Sequence, residues 1–338
     1  MKRTLSLVLT TLLFLVLALP VKAFPVKVAT NYMAGADGYA PADYDGDGKA
    51  DWAMKDSSGA WVIDYASNGL GSYDAVYYGY GGTENVAVPA DYDGDGKADL
   101  AVKSNTLGEW SIDYASNGFG TWDATYYGYG GSQNKPCPED YDGDRMADLA
   151  VKSDGGVWAI DYASNGFGTW DAVYYGYGGP ENIPVPADYD QDGKADLAIW
   201  TSSGYWNGTF NVDFAKFGFG SWDVSWRWIL PGPGRPAVGD FNGDCVNDFS
   251  VKRDDGSWTI AYAGHSCAQT CEFLCGSVRS LSFETFYGYG DSLNRPVPAN
   301  YHDFSFTDLA VRAETDPTAL AIDYRFNGFG TWDDVFHP

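Results

Sequence analysis

Positive charge is scarce in this chain: 21 lysines and arginines stand against 46 aspartates and glutamates, a formal net charge of −25. Phosphate recognition needs a basic footprint, so nucleic acid is excluded as an expected partner. Histidine is scarcer still. His265, His302 and His337 are the full set, and none stands in a nucleophile motif. No acid, base or nucleophile is set apart from the repeat pattern described below, so no catalytic residues are expected. Long apolar runs are limited to one, residues 5–19, preceded by Met1, Lys2 and Arg3 and followed by Val21-Lys22-Ala23. That reads as a secretory signal peptide over residues 1–23, with a retained signal anchor as the alternative. No second membrane span is present, and a secreted or cell-surface location is expected.

What the chain does contain is ample for a buried core: 45% of its residues are hydrophobic and 17% aromatic. Its organising stretch is PADYDGDGKADLAVK, residues 89–103. Asp91, Asp93, Asp95 and Asp99 occupy positions 1, 3, 5 and 9 of a turn, with Gly96 at position 6 and the Lys97 carbonyl at position 7. Such a turn aims several hard oxygens at one centre, which suits a calcium ion. Position 12 is Val102 rather than the bidentate glutamate of an EF-hand, and the flanks read as strands.

The same turn recurs. Its first ligands, Asp43, Asp91, Asp140, Asp188, Asp240 and Asn300, are 48, 49, 48, 52 and 60 residues apart. A period in this range means stacked supersecondary units. Within the second copy, four strands are expected over residues 86–92, 100–103, 110–115 and 123–129, the pattern of a propeller blade. In the third of these, Trp110, Ile112 and Tyr114 alternate with Ser111 and Asp113. The expected fold is all-β, a single β-propeller of six four-stranded blades over residues 24–338. The repeats start near 26, 86, 135, 183, 235 and 295, and a seven-bladed or incomplete ring is the alternative. Residues 26–32 align with a fourth strand and could close the last blade from the N-terminus, although residues 333–337 begin the same strand from the other end.

The candidate metal ligands follow copy by copy. Copy one has Asp43, Asp45, Asp47, Lys49 (carbonyl) and Asp51; copy two has Asp91, Asp93, Asp95, Lys97 (carbonyl) and Asp99. Copy three has Asp140, Asp142, Asp144, Met146 (carbonyl) and Asp148, with Arg145 where the bend wants glycine. Copy four has Asp188, Asp190, Asp192, Lys194 (carbonyl) and Asp196, with Gln191 at a non-ligating place. Copy five has Asp240, Asn242, Asp244, Val246 (carbonyl) and Asp248, with Cys245 replacing glycine. Copy six reads Asn300, His302, Phe304 and Asp308 and has lost the site. About five Ca2+ ions are expected, held most strongly in copies one, two and four. In those three no basic residue beyond the position-7 lysine is at hand to offset the carboxylates. A strand-joining Asp-Gly turn with solvated carboxylates is the plain alternative.

These residues resemble the FG-GAP and VCBS repeats, the calcium-loop propeller repeats of integrin α-chains and of many exported proteins. The resemblance covers about residues 26–338 and implies a propeller with calcium in the turn between the first and second strands of a blade, on the carboxylates of copies one to five.

Strand alternation puts these loops on one face with the SNGFGTWD turns such as residues 116–123, and with a Cys-rich insertion at 264–282. Cys245 is expected to pair with one of Cys267, Cys271 and Cys275, the other two with each other, leaving Cys137 free. A zinc knuckle built from the three close cysteines would need His265 to complete it. The opposite face carries Gly-Tyr-Gly turns. Tyr80, Tyr129, Tyr177 and Tyr289 there are either ligand platforms for a sugar or a protein side chain, or wedges between blades. The function expected is an exported calcium-binding propeller acting as a binding or adhesion module, lectin-like, with a glycan or extracellular protein as partner. The alternatives are a calcium-dependent polysaccharide lyase or hydrolase, and a scaffold with no small ligand.

Overall fold

The computed structural model describes residues 38–227, 230, 232–264, 280–302 and 306–337. It is a six-bladed β-propeller. Each blade is a four-stranded antiparallel meander, and the blades span residues 38–78, 85–127, 134–175, 182–226, 234–286 and 294–336. The second blade shows the pattern: strands Asn85–Ala87, Leu100–Ser104, Glu109–Asp113 and Ala124–Tyr127. The first strand is shorter than residues 86–92 suggest, because past Ala87 the pairing thins to the Val88 N–H on the Ala101 carbonyl at 2.8 Å and a lone bridge from Ala90 to Asp99.

The sixth blade takes its fourth strand, Asp334–Phe336, from its own repeat. Residues 26–32, expected as a possible closing strand, lie outside the described residues. The ring closes by packing: Trp52 and Ala50 of blade one share a buried cluster with Val297, Tyr301 and Leu320 of blade six, and Phe336 packs against it. The Arg312 guanidinium of blade six sits 3.4 Å from the Tyr39 ring centroid of blade one.

A blade inside a ring has a neighbour on each face, which changes how its alternation must be read. Trp110 and Ile112 are fully buried on one side of the third strand, and Ser111 and Asp113 are buried on the other. The polar side is therefore a joint between blades rather than a solvated face.

That joint explains the Gly-Tyr-Gly turns. Tyr80, Tyr129, Tyr177 and Tyr289 are each only 2% exposed. Each hydroxyl donates to a buried aspartate of the next blade, to Asp113, Asp161, Asp213 and Asp323 respectively, at 2.5 Å. The rings pack edge-on against tryptophans from both blades, as Tyr129 does on Trp110 and Trp170. These four tyrosines are wedges, and the expectation that they present open faces to a ligand is corrected: burial leaves no face free.

The joint between blades four and five departs from this pattern in a coordinated way. Leu230 stands where the tyrosine would be and Ala261 where its aspartate partner would be, and both belong to one buried apolar cluster with Phe210, Phe249 and Trp200. Changing both partners together avoids stranding a buried polar group.

A third set of joints was not anticipated from the sequence. Lys55, Lys103, Lys152 and Lys252 on the second strands are buried. Their ammonium groups donate to main-chain carbonyls of the connection into the next blade: Gly82 at 3.0 Å, Gly131 at 2.8 Å, Gly179 at 2.7 Å and Asp291 at 2.5 Å. Burial pushes Lys103, Lys152 and Lys252 down to about 8. The signal was there, the lysine that ends KADWAMK, KADLAVK, MADLAVK and VNDFSVK in copies one, two, three and five, but its spacing reads equally well as a solvated strand end.

Tyr129→Phe should lower stability by about 1–3 kcal/mol, because it strands Asp161 without its phenol donor. The check is the urea unfolding free energy of the variant; an unchanged value would contradict the wedge role.

Candidate metal loops and an inter-blade groove

Each acidic turn follows the end of a first strand, and its backbone is set by its own carboxylates. At position 1, Asp43 accepts from the Gly46 N–H at 2.6 Å and the Gly48 N–H at 2.9 Å; Asp91 and Asp140 repeat this. The position-5 aspartates Asp47, Asp95, Asp144, Asp192 and Asp244 each accept from the N–H of position 7, that is from Lys49, Lys97, Met146, Lys194 and Val246, at 2.8–3.0 Å. Positive φ is required at positions 4 and 6. Glycine supplies it in most copies, but Arg145 (φ 75°), Gln191 (φ 61°) and Cys245 (φ 67°) adopt it too. The turn is therefore kept where its sequence disfavours it, at about 1–2 kcal/mol per such residue.

Position 9 is the buried anchor. Asp51 accepts from the Tyr44 N–H of its own turn and from the Ala66 N–H at the turn between the third and fourth strands, at 2.8 and 2.9 Å. Asp99, Asp148 and Asp196 do the same, and Asp248 accepts from the Phe241 N–H and from that of Ala263, which in blade five still belongs to the third strand. Asp308 matches Asp51, in the copy that has lost the other carboxylates. This aspartate therefore has a structural duty that does not depend on an ion, and the two turns share one face as the strand count predicts.

The loops are also joined round the ring. The position-8 N–H of one loop donates to the position-1 carbonyl of the loop before it: Ala98 to Asp43, Ala147 to Asp91, Ala195 to Asp140 and Thr307 to Asp240 at 2.7 Å, and Ala50 to Asn300 at 2.6 Å. Between loops four and five the Asn247 side-chain amide makes this link to the Asp188 carbonyl at 2.9 Å.

Three carboxylates converge in each of four loops: Asp43, Asp45 and Asp51; Asp91, Asp93 and Asp99; Asp140, Asp142 and Asp148; Asp188, Asp190 and Asp196. In each set one oxygen per residue lies within 4.8 Å of the others. Position 5 is outside these sets. In copy five Asn242 is turned into the loop, its Oδ1 accepting from the Asp244 N–H at 2.8 Å, and no three-carboxylate set forms there among the described residues. Burial pushes Asp43 and Asp91 up to about 6 and Asp51, Asp99 and Asp148 up to about 8. Converging, desolvated, hard oxygen donors fit a calcium ion, which would supply the missing positive charge.

Copy four differs from the expectation. In copies one to three a serine hydroxyl, from Ser67, Ser116 or Ser164, donates at 2.5 Å to the position-3 aspartate. In copy four the corresponding residue is Lys216, whose ammonium lies 2.6 Å from Asp190 Oδ2. A basic residue is at hand after all, supplied by the neighbouring turn 26 residues on, too far in sequence for loop spacing to reveal. This cation competes with any ion in copy four.

Of the cysteines, Cys137 is free and fully buried, as expected. Cys245 is not a free thiol; Cys267, Cys271, Cys275 and His265, and with them the expected pairings and the zinc alternative, lie outside the described residues. The long strands Trp258–Gly264 and Ser280–Phe286 of blade five pair to their ends, on the face that carries Cys245.

A groove of about 570 Å³ opens between blades two and three. Trp170, Val157 and Val173 give it an apolar wall, and Gln133, Asn134, Ser153 and Asp154 bring polar groups to it. Next to the groove-lining Gly128, Tyr127 is 67% exposed. The residue before each Gly-Tyr-Gly turn, namely Tyr78, Tyr127, Tyr175 and Tyr287, is thus the exposed aromatic of the repeat.

No family model and no curated protein sequence matches the chain. Solved structures do. A lectin of Agrocybe aegerita, described for specific recognition of non-reducing terminal N-acetylglucosamine, superposes with a TM-score of 0.56 at 16% identity, over 89% of this chain and 80% of that one. The β-propeller domain of Cps50 (Swd1) from Myceliophteria thermophila superposes with a TM-score of 0.50 at 12% identity, over 93% and 90%. At these identities the likeness concerns the fold.

Two outcomes follow from the loop geometry. In EDTA, Asp51, Asp99 and Asp148 keep their protons up to about pH 8 when folded but release them near the usual 3.8 when unfolded. Stability without metal should therefore fall as pH rises from about 5 to 8; a urea midpoint that climbs over that range would contradict this. Lys216→Ser should add one calcium ion per chain, read by calorimetric titration of variant and wild type; equal stoichiometry would show that the lysine does not compete.

Proposed function

We propose that the chain is an exported calcium-binding propeller of the FG-GAP/VCBS type that acts as a glycan-binding module. The calcium reading is supported by three converging carboxylates repeated in four loops, without a basic partner in the first three among the contacts described. The glycan reading is carried by the groove between blades two and three. Trp170 gives it an aromatic wall, and amide, hydroxyl and carboxylate groups border it, the mixture a sugar ring requires for its apolar face and its hydroxyl edge. The lectin among the fold neighbours supports the same direction. Calcium would act in this reading as a stabiliser of the loops rather than as a ligand of the sugar, since no acidic-loop carboxylate lines the groove.

A glycan array probed with the full chain, with and without EDTA, tests both parts. Binding is expected to at least one terminal sugar, and Trp170→Ala should weaken it about tenfold. A folded protein that binds no glycan would favour the scaffold reading, and turnover of a polysaccharide would favour the lyase or hydrolase.

A further inference from the structure

We propose that Asn207 is an acceptor for N-linked glycosylation. Among the chain's asparagines, Asn207 alone begins an Asn-x-Ser/Thr triplet, Asn207-Gly208-Thr209, the sequence that marks an acceptor in an exported protein. Its position in the fold is unusual as well. The turn between second and third strands covers residues 56–59, 105–108, 154–156 and 254–257 in blades one, two, three and five, but 202–209 in blade four. The triplet lies in that enlargement.

The folded turn has room for a sugar. Tyr205 is 76% and Trp206 43% exposed, and Asn207 itself is half-buried. Its Oδ1 accepts from the Gly232 N–H at 3.3 Å, while no described residue receives a bond from its Nδ2, the atom that would be glycosylated. Trp206 is already flanked by the Arg227 guanidinium 4.3 Å from its ring centroid, so the aromatic pair offers apolar surface beside the first sugar.

The third residue supplies an independent argument. Thr209 is buried, and its hydroxyl has no hydrogen-bond partner among the described residues. A buried hydroxyl without a partner is unfavourable, and valine would fill the same space. The fold gives this hydroxyl no use, whereas recognition of the triplet before folding requires it. In the transfer itself, Asn207 Nδ2 forms a bond to the anomeric carbon of a polyprenyl-diphosphate-linked oligosaccharide. The carbon–oxygen bond to the diphosphate breaks, polyprenyl diphosphate leaves, and the amide proton passes to a base of the transferase.

The proposal rests on the export reading, and the test separates the two. The full chain is expressed in a eukaryotic secretory host behind its own leader and, in parallel, behind the host's. Secreted protein from the second arm should carry one N-linked glycan, removed by peptide-N-glycosidase and absent from Asn207→Gln. Thr209→Val should lose the glycan while its melting temperature, compared with deglycosylated wild type, is unchanged or higher; Thr209→Ser should retain the glycan. Secreted protein without sugar in the second arm would overturn the proposal, whereas failure of the first arm alone to reach the medium would overturn the export reading.

Discussion

The structure depends on one buried carboxylate per blade. The position-9 aspartate ties the turn after the first strand to the far end of the third strand or the turn that follows it, by two main-chain hydrogen bonds repeated in all six copies. That fixes the acidic loop in place, and a fixed loop can hand its position-1 carbonyl to the next loop round the ring. Copy six is the informative one. With asparagine, histidine and phenylalanine at the other ligand places it has given up the cluster, yet Asp308 remains buried and doubly bonded.

The two faces solve the same problem with opposite charges. On the loop face, carboxylates gather and several are raised by burial, and positive charge reaches a converging set from within the chain at Lys216, 2.6 Å from Asp190, while Lys49 lies 3.8 Å from the outlying Asp47. Toward the other face, buried lysines lean on neutral carbonyls of the next blade. Between the two run the tyrosine-to-aspartate bonds. Each joint between typical blades thus has a loop bond, a phenol bond and an ammonium bond, all directional and all local in space.

The ring, its blade count and the face shared by the loops with the serine-bearing turns were legible in the sequence, because they follow from the period of the DxDGDGxxD core and from strand alternation. Tyr80, Tyr129, Tyr177 and Tyr289 were not legible as donors. A tyrosine between glycines looks the same whether its ring is open or wedged, and its partner aspartate is more than thirty residues away. Asp113 and its equivalents were hidden for a related reason: alternation marks the sides of a strand, not whether the second side meets water or another blade. Lys216 escaped because its relation to Asp190 is set by the anchor between two turns, not by proximity in the chain.

One joint is built from different physics. Between blades four and five, leucine and alanine replace the phenol and its carboxylate, tryptophan replaces the lysine, and an aromatic cluster around Phe249 fills the space. Association of apolar surface weakens on cooling, whereas directional polar bonds do not depend on it in that way. Chilling therefore acts unevenly around the circle: it weakens this apolar seam more than the four joints that carry phenol and ammonium bonds, so the toroid has a built-in place to part in the cold.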